Sequence, residues 1–84
     1  MGDGLLNNLD KLHTTELGVL RIKRNLGLDT DDVVNWCRLK TQNAEDITRK
    51  GKNYYVYAEN SILTINAHSF TIITAHKEKI YDNY

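Results

Sequence analysis

Apolar residues in this chain recur first with a helical period and then with a strand period, the change falling just after Thr41. Leu5, Leu6, Leu9 and Leu12 share one face of a short helix. His13-Thr14-Thr15-Glu16 interrupts it. Thr14 or Thr15 can cap a second helix, and Glu16 then lies in its first turn, where a negative charge suits the helix dipole. That helix runs to about Asn25–Leu26, with Leu17, Val19, Leu20, Ile22 and Leu26 as its apolar positions. Gly27 supplies a left-handed C-cap. Asp29-Thr30-Asp31-Asp32 opens a third helix over about Asp31–Lys40, whose apolar side is Val33, Val34, Trp36, Cys37 and Leu39.

Beyond Thr41 the pattern predicts short strands. Asp46–Arg49 is the weakest of them. Asn53–Ala58 is aromatic and β-rich, and Lys50-Gly51-Lys52 before it is a turn. Ser61–Asn66 and Phe70–His76 follow, joined by Ala67-His68-Ser69. Connections this short make neighbouring strands antiparallel. The expected fold is α+β: N-terminal helices followed by a small antiparallel meander of three or four strands, with helices on one face. Alternation sets Leu63 and Ile65 toward the core, opposite Ile62, Thr64 and Asn66, and sets Tyr55 and Tyr57 opposite Tyr54, Val56 and Ala58. In the last strand it groups Phe70, Ile72, Thr74 and His76 against Thr71, Ile73 and Ala75.

A length of 84 residues makes residues 1–84 a single domain, ordered over about 5–77, with a fraying start at Met1–Gly4 and a fraying tail at 78–84. So short a chain buries only roughly 60–65 % of its unfolded surface. A homodimer is one way to bury more. The 11 basic and 11 acidic residues cancel, which excludes a strongly basic nucleic-acid coat but leaves room for local patches. The single cysteine excludes an internal disulfide framework and a cysteine-based zinc site. No apolar run approaches the roughly 18 residues of a membrane span and no signal peptide opens the chain, so no membrane partner and a cytoplasmic location are expected.

The candidate chemistry lies in the histidines and the cations. His76 at a strand end, with Thr74 two residues before it, can serve as general acid or base; a surface histidine where the sheet ends is the plainer alternative. His13 sits just before a helix start, where it can reach an anionic ligand or simply mark the boundary. His68 reads as a turn residue. His68 and His76 are separated by a whole strand, roughly 25 Å if extended, too far to share an ion, so neither metal nor cofactor is expected. Cys37 reads as a buried small hydrophobe.

Arg21, Lys23 and Arg24 cluster in one helix, and Arg49, Lys50 and Lys52 around one turn. With Tyr54, Tyr55 and Tyr57 the second cluster interleaves cations and aromatics, a combination that suits phosphate contact plus base stacking, or equally an ordinary solvated turn beside packed tyrosines. No phosphate-binding glycine loop, paired catalytic carboxylates or serine elbow occurs. An enzyme built from this inventory would cleave RNA without a metal, the ribose 2′-OH being the nucleophile.

His13-Thr14-Thr15-Glu16-Leu17-Gly18, Arg21-Ile22-Lys23-Arg24-Asn25-Leu26, Lys50-Gly51-Lys52-Asn53-Tyr54-Tyr55 and Asn66 to His76 together resemble a small bacterial family of unknown function (DUF thirty-seven eighty-one) over about residues 5 to 77. That resemblance implies kinship without an activity. A looser similarity, in the helix-then-meander order and the Thr-Ala-His ending, is to the barnase–EndoU–colicin–RelE group of metal-independent RNases. It implies catalytic residues drawn from the sheet and a helix, although the strand glutamate some members use has no counterpart here.

The reading that follows is an RNase-like or RNA-binding domain, with His76, Thr74 and Arg21 as the catalytic candidates and Arg24, Lys52, Tyr55 and His13 as substrate contacts. The alternative is a noncatalytic protein-binding module, such as a toxin–antitoxin component or a phage-related inhibitor.

Overall fold

The change of period becomes a division between helices and sheet. The computed structural model describes residues 3–78. Helix α1 (Asp3–Leu6) and a 3-10 turn (Leu9–Lys11) precede α2 (Glu16–Leu26) and α3 (Val33–Gln42). Strands β1 (Asp46–Lys50), β2 (Asn53–Ala58), β3 (Ser61–Asn66) and β4 (Ile72–Lys77) follow. They form one antiparallel sheet in the order β1-β2-β3-β4, the α+β meander that the sequence predicts. The expected fraying of the chain start and tail falls mostly outside the described residues. Within the described residues Gly4 is part of α1, and Glu78 donates its backbone N–H to the Asn60 carbonyl at 2.6 Å.

The leucine pattern at the N-terminus does not make one continuous helix. Asn8 Nδ2 donates to the Gly4 carbonyl at 2.6 Å and its N–H to the Leu5 carbonyl at 2.9 Å, ending α1 after its first turn. An asparagine side chain that bonds the local backbone competes with helix propagation. In α2, Thr15 is the N-cap, accepting from Gly18 N–H at 3.0 Å, and Gly27 closes the helix at φ +64°. The buried positions are Gly18, Ile22 and Leu26 at four-residue spacing, whereas Leu17 and Leu20 are 55 % and 60 % exposed. Helix α3 starts at Val33 because Asp32 caps it, accepting from Asn35 N–H at 3.2 Å. It buries Val33, Cys37 and Thr41 and leaves Leu39 exposed. The Thr41 hydroxyl is satisfied by the Cys37 carbonyl at 2.8 Å.

The core lies between these helices and one face of the sheet. Leu5, Leu12, Ile22, Leu26, Val33 and Cys37 meet Tyr54, Val56, Leu63, Ile65, Ile72 and Ala75. Arg38 Nε donates to the Leu9 carbonyl at 3.1 Å, joining α3 to the N-terminal segment. Lys40 pairs with Glu59 at 2.5 Å, joining α3 to the β2–β3 turn.

Strand β4 departs from simple alternation. Phe70 adopts φ +58°, so the strand begins at Ile72 and not at Phe70. Thr64 pairs with Thr74 and Ile65 with Ile72, which leaves Ile73 as an extra residue in a bulge. Side-chain parity therefore reverses across Ile73. Ile72 and Ala75 are both buried in the core, and Thr74 and His76 face away from it. The expected grouping of Ile72 with Thr74 and His76 fails for this reason, since alternation assumes a regular ladder.

The outer edge of β4 is covered by the segment leading into α2. His13 and Thr71 form a parallel bridge, with His13 N–H donating to the Phe70 carbonyl at 3.3 Å and Ile72 N–H to the His13 carbonyl at 2.7 Å. The Thr14 hydroxyl donates to the Ile72 carbonyl at 2.8 Å, and Asn25 Nδ2 donates to the Ala75 carbonyl at 3.2 Å. A Cβ at Gly18 would collide with Thr14 Oγ1. Gly18→Ala should thus lower stability, although alanine is worth about 1 kcal/mol over glycine in a helix. The crowding costs about 1–3 kcal/mol and the displaced Thr14 bond about 1 kcal/mol more. Urea unfolding of the variant checks the sign.

Burial pushes the Cys37 thiol up from its ordinary 9.0 to about 12. A proton held more tightly in the fold than in the unfolded chain contributes stability that is full below the unfolded value and is lost as pH rises through that value toward 12. The thiolate is also the reactive form. At neutral pH, maleimide labelling of Cys37 should therefore proceed only as fast as the protein unfolds, which labelling across a urea series measures.

Candidate functional site

Among the described residues the helices cover one face of the sheet and leave the other open. Cross-strand pairing arranges that open face in rows. Asp46, Tyr57, Ile62 and His76 form the row at one end, and Thr48, Tyr55, Thr64 and Thr74 form the middle row. Lys50, Asn53 and Asn66 begin the row at the other end, which continues through Thr71, whose carbonyl accepts from Asn66 N–H at 2.9 Å, to His13. Neighbouring strands are about 4.8 Å apart, and rows about 6.8 Å apart along a strand.

The Lys50-to-His13 row is the most organised polar part of the face. Asn66 Oδ1 accepts from His68 N–H and Ser69 N–H, both at 2.9 Å, and from the Ser69 hydroxyl at 3.2 Å. Ser69 Oγ and Thr71 Oγ1 lie 2.7 Å apart, and Thr71 Oγ1 lies 3.0 Å from His13 Nε2. His13 Nδ1 lies 2.9 Å from the Lys11 carbonyl. A carbonyl only accepts, so Nδ1 carries a proton. The strained Phe70 sits inside this network, with Lys11 Nζ 5.9 Å from the centre of its ring. A bulky residue at positive φ persists only where its surroundings hold it.

Strand alternation carries the aromatic part. Tyr55 and Tyr57 are half-buried on the open face, and with Lys50 they line a depression of about 300 Å³. Lys52, one residue before β2, is exposed, and its carbonyl accepts from Ala67 N–H at 2.8 Å, so it lies at the Lys50–His13 end of the sheet. Among the described residues the ion pairs are Lys23–Asp31 and Lys40–Glu59, which leaves this cationic end without a direct carboxylate. A second depression of about 380 Å³, lined by Glu59, Asn60, Ser61, Lys77 and Glu78, lies at the opposite end and mixes both signs of charge without an aromatic ring. Among the described residues no three His, Cys, Asp or Glu side chains gather closely enough to hold a metal ion.

The residues singled out from the sequence fall into three places. His13 and Lys52 belong to one end of the sheet, with Tyr55 and Thr74 in the row beside it. Exposed His76 pairs with Ile62 at the far end, about 13 Å from Asn66 along β3. Arg21 and Arg24 are exposed on α2, which packs against the opposite face. The sequence reading grouped Lys50 and Tyr57 with Lys52 and Tyr55, but did not name Asn66, Ser69 and Thr71 among the site residues. Alternation already set Tyr57 and Asn66 on the open side. Thr71 could not be found that way, because the bulge and the His13 bridge decide its neighbours.

Asn66→Ala removes the acceptor for three donors at once and should destabilise the fold by about 1–3 kcal/mol. The amides of His68 and Ser69 should lose protection in hydrogen exchange while those of β2 keep it.

A family model described as "Protein of unknown function (DUF3781)" matches residues 6–76. No curated protein and no solved structure matches the chain. Among the described residues no helix is long and apolar enough to cross a membrane.

Proposed function

This chain belongs to the DUF3781 family, whose description carries no activity, and from the chemistry of its open sheet face we propose that it binds single-stranded RNA. The observation that carries this reading is the pair Tyr55 and Tyr57, half-buried on an uncovered face beside Lys50. Base–aromatic stacking is worth about 1–3 kcal/mol per base, and every base has a face to stack. Lys50 and Lys52 supply charge for phosphates at one end, and His13 supplies a polar edge. Thr48, Thr74 and Asn53 offer donors and acceptors between them, which suits bases and the 2′-OH. A chain with zero net charge adds little long-range attraction, so affinity rests on these contacts.

Binding fits better than cleavage because acid, base and phosphate clamp must meet at one phosphorus. His76, Lys52 and the pair Arg21 and Arg24 belong to three separate parts of the surface. His76 and Thr74 are in this reading contacts for the RNA chain. The similarity to metal-independent RNases rests on element order alone, and fold order does not carry function.

Fluorescence anisotropy with labelled single-stranded oligonucleotides tests the proposal. Tyr55→Ala should weaken RNA binding about 5- to 100-fold, the equivalent of one lost stack. Lys50→Ala should shallow the slope of log K against log salt by about 0.7. Absence of binding to any RNA oligonucleotide at low salt would sink the reading. Metal-independent RNA cleavage by wild type that disappears in His76→Ala would move it from binding to catalysis.

A second reading, a protein-binding module, has one observation in its favour. Leu17 and Leu20 are 55 % and 60 % exposed on α2 and are flanked by Arg21 and Arg24, a surface that fits an acidic amphipathic helix. A stoichiometric protein partner lost in Leu20→Glu, with no RNA bound, would favour it.

A further inference from the structure

Strand β1 is the outermost strand of the sheet, opposite the edge that His13, Thr14 and Asn25 cover. Four of its five residues are exposed, and only Ile47 is half-buried. Its pairing with β2 is unbroken from Asp46 to Lys50, so it is regular along its whole length. It contains neither proline nor a bulge, two devices that blunt an edge. A regular uncovered edge presents a row of backbone donors and acceptors to another strand.

We propose that two copies of this chain pair through β1, antiparallel about Thr48, to make one continuous eight-stranded sheet. The sequence of β1 is complementary to itself in that register. Asp46 lies opposite Lys50 of the second copy, Lys50 opposite its Asp46, and Thr48 opposite its Thr48. Opposite charges across a strand pair are stabilising and like charges destabilising. The two-fold axis runs perpendicular to the sheet, so the open face of one copy continues into that of the other. Asp46, Thr48 and Lys50 all lie on that face. The Thr48 hydroxyl donates to Asp46 Oδ2 at 3.0 Å and holds the carboxylate there, leaving Oδ1 for the lysine.

Neighbouring registers are worse. A shift of one residue in the pairing puts open-face residues against core-face residues. Pairing about Arg49 sets two Arg49 side chains against each other. Pairing about Ile47 overlaps less of the strand and brings Asp46 opposite Thr48. The register about Thr48 alone combines full overlap, matched faces and two opposite-charge pairs.

The dimer does not depend on what the open face binds. A five-residue strand pair is a small interface, below the roughly 1,200 Å² of stable complexes, so weak, concentration-dependent association is expected. Sedimentation velocity up to about 1 mM should show a monomer–dimer equilibrium for the wild-type chain. D46K and K50D each convert two attractive pairs into two repulsive ones, and each should weaken self-association about tenfold or more. Both positions are exposed, and circular dichroism verifies that the variants fold. An equimolar mixture of D46K and K50D restores every opposite-charge pair and should form a heterodimer of wild-type affinity, as should the D46K/K50D double variant with itself. A wild-type chain that stays monomeric at about 1 mM overturns the proposal. So does a dimer indifferent to both reversals, or one that neither the mixture nor the double variant restores.

Discussion

The outer backbone of β4 is the point on which the molecule turns. A strand that ends a sheet beside a core carries polar groups that need partners. Here the partners come from far back in the chain. The His13 backbone bridges Phe70 and Ile72, Thr14 reaches the Ile72 carbonyl, and Asn25 reaches the Ala75 carbonyl. These contacts tie both ends of α2 to β4. They set Ile22 and Leu26 over the same sheet face as Leu63 and Ile65, and they explain why Gly18 must lack a side chain beside Thr14.

Anchoring α2 on that edge has consequences across the sheet. All helical covering falls on one face, so Tyr55, Tyr57, Thr74 and His76 share the other. Among the described residues the β4 edge is closed and the β1 edge is not, which gives the sheet one side along which it can grow. A small protein that buries one face gains a flat, rigid platform on the other, and rigid elements hold contact residues better than loops do. The RNA reading and the dimer both draw on this asymmetry. Joined copies would set two tyrosine pairs on one continuous surface.

Local signals served the elements well. Thr15, Glu16 and Gly27 bounded α2, and Gly51 marked the β1–β2 turn, because capping and positive φ are decided by a few adjacent residues. Period alone served the helix faces less well. Leu17, Leu20 and Leu39 are apolar yet exposed, while Gly18 and Thr41 are buried, since a helix buries whatever stripe its packing partner meets. Of the candidate site, Lys52 and His13 lie at the same end of the sheet on opposite sides of it, with Tyr55 one row in, whereas Arg21 and Arg24 lie behind the sheet and His76 at its far end. Convergence depends on register and on which face a helix covers, and neither is written in spacing.

By itself the sequence determined the order of helices and strands, the antiparallel meander, the core face of β2 and β3, and the alternation that set Tyr55 and Tyr57 on one side. These follow from backbone preferences and from the two periods, 3.6 and 2, which act over a few residues. The tertiary structure alone decided the reversal of parity at Ile73, the positive φ of Phe70, the network from His13 through Thr71 to Asn66, and the contrast between a covered and an open edge. Each of these joins groups far apart in the chain, His13 and Thr71 being 58 residues apart. Only packing and backbone hydrogen-bond satisfaction, not local preference, bring such groups together.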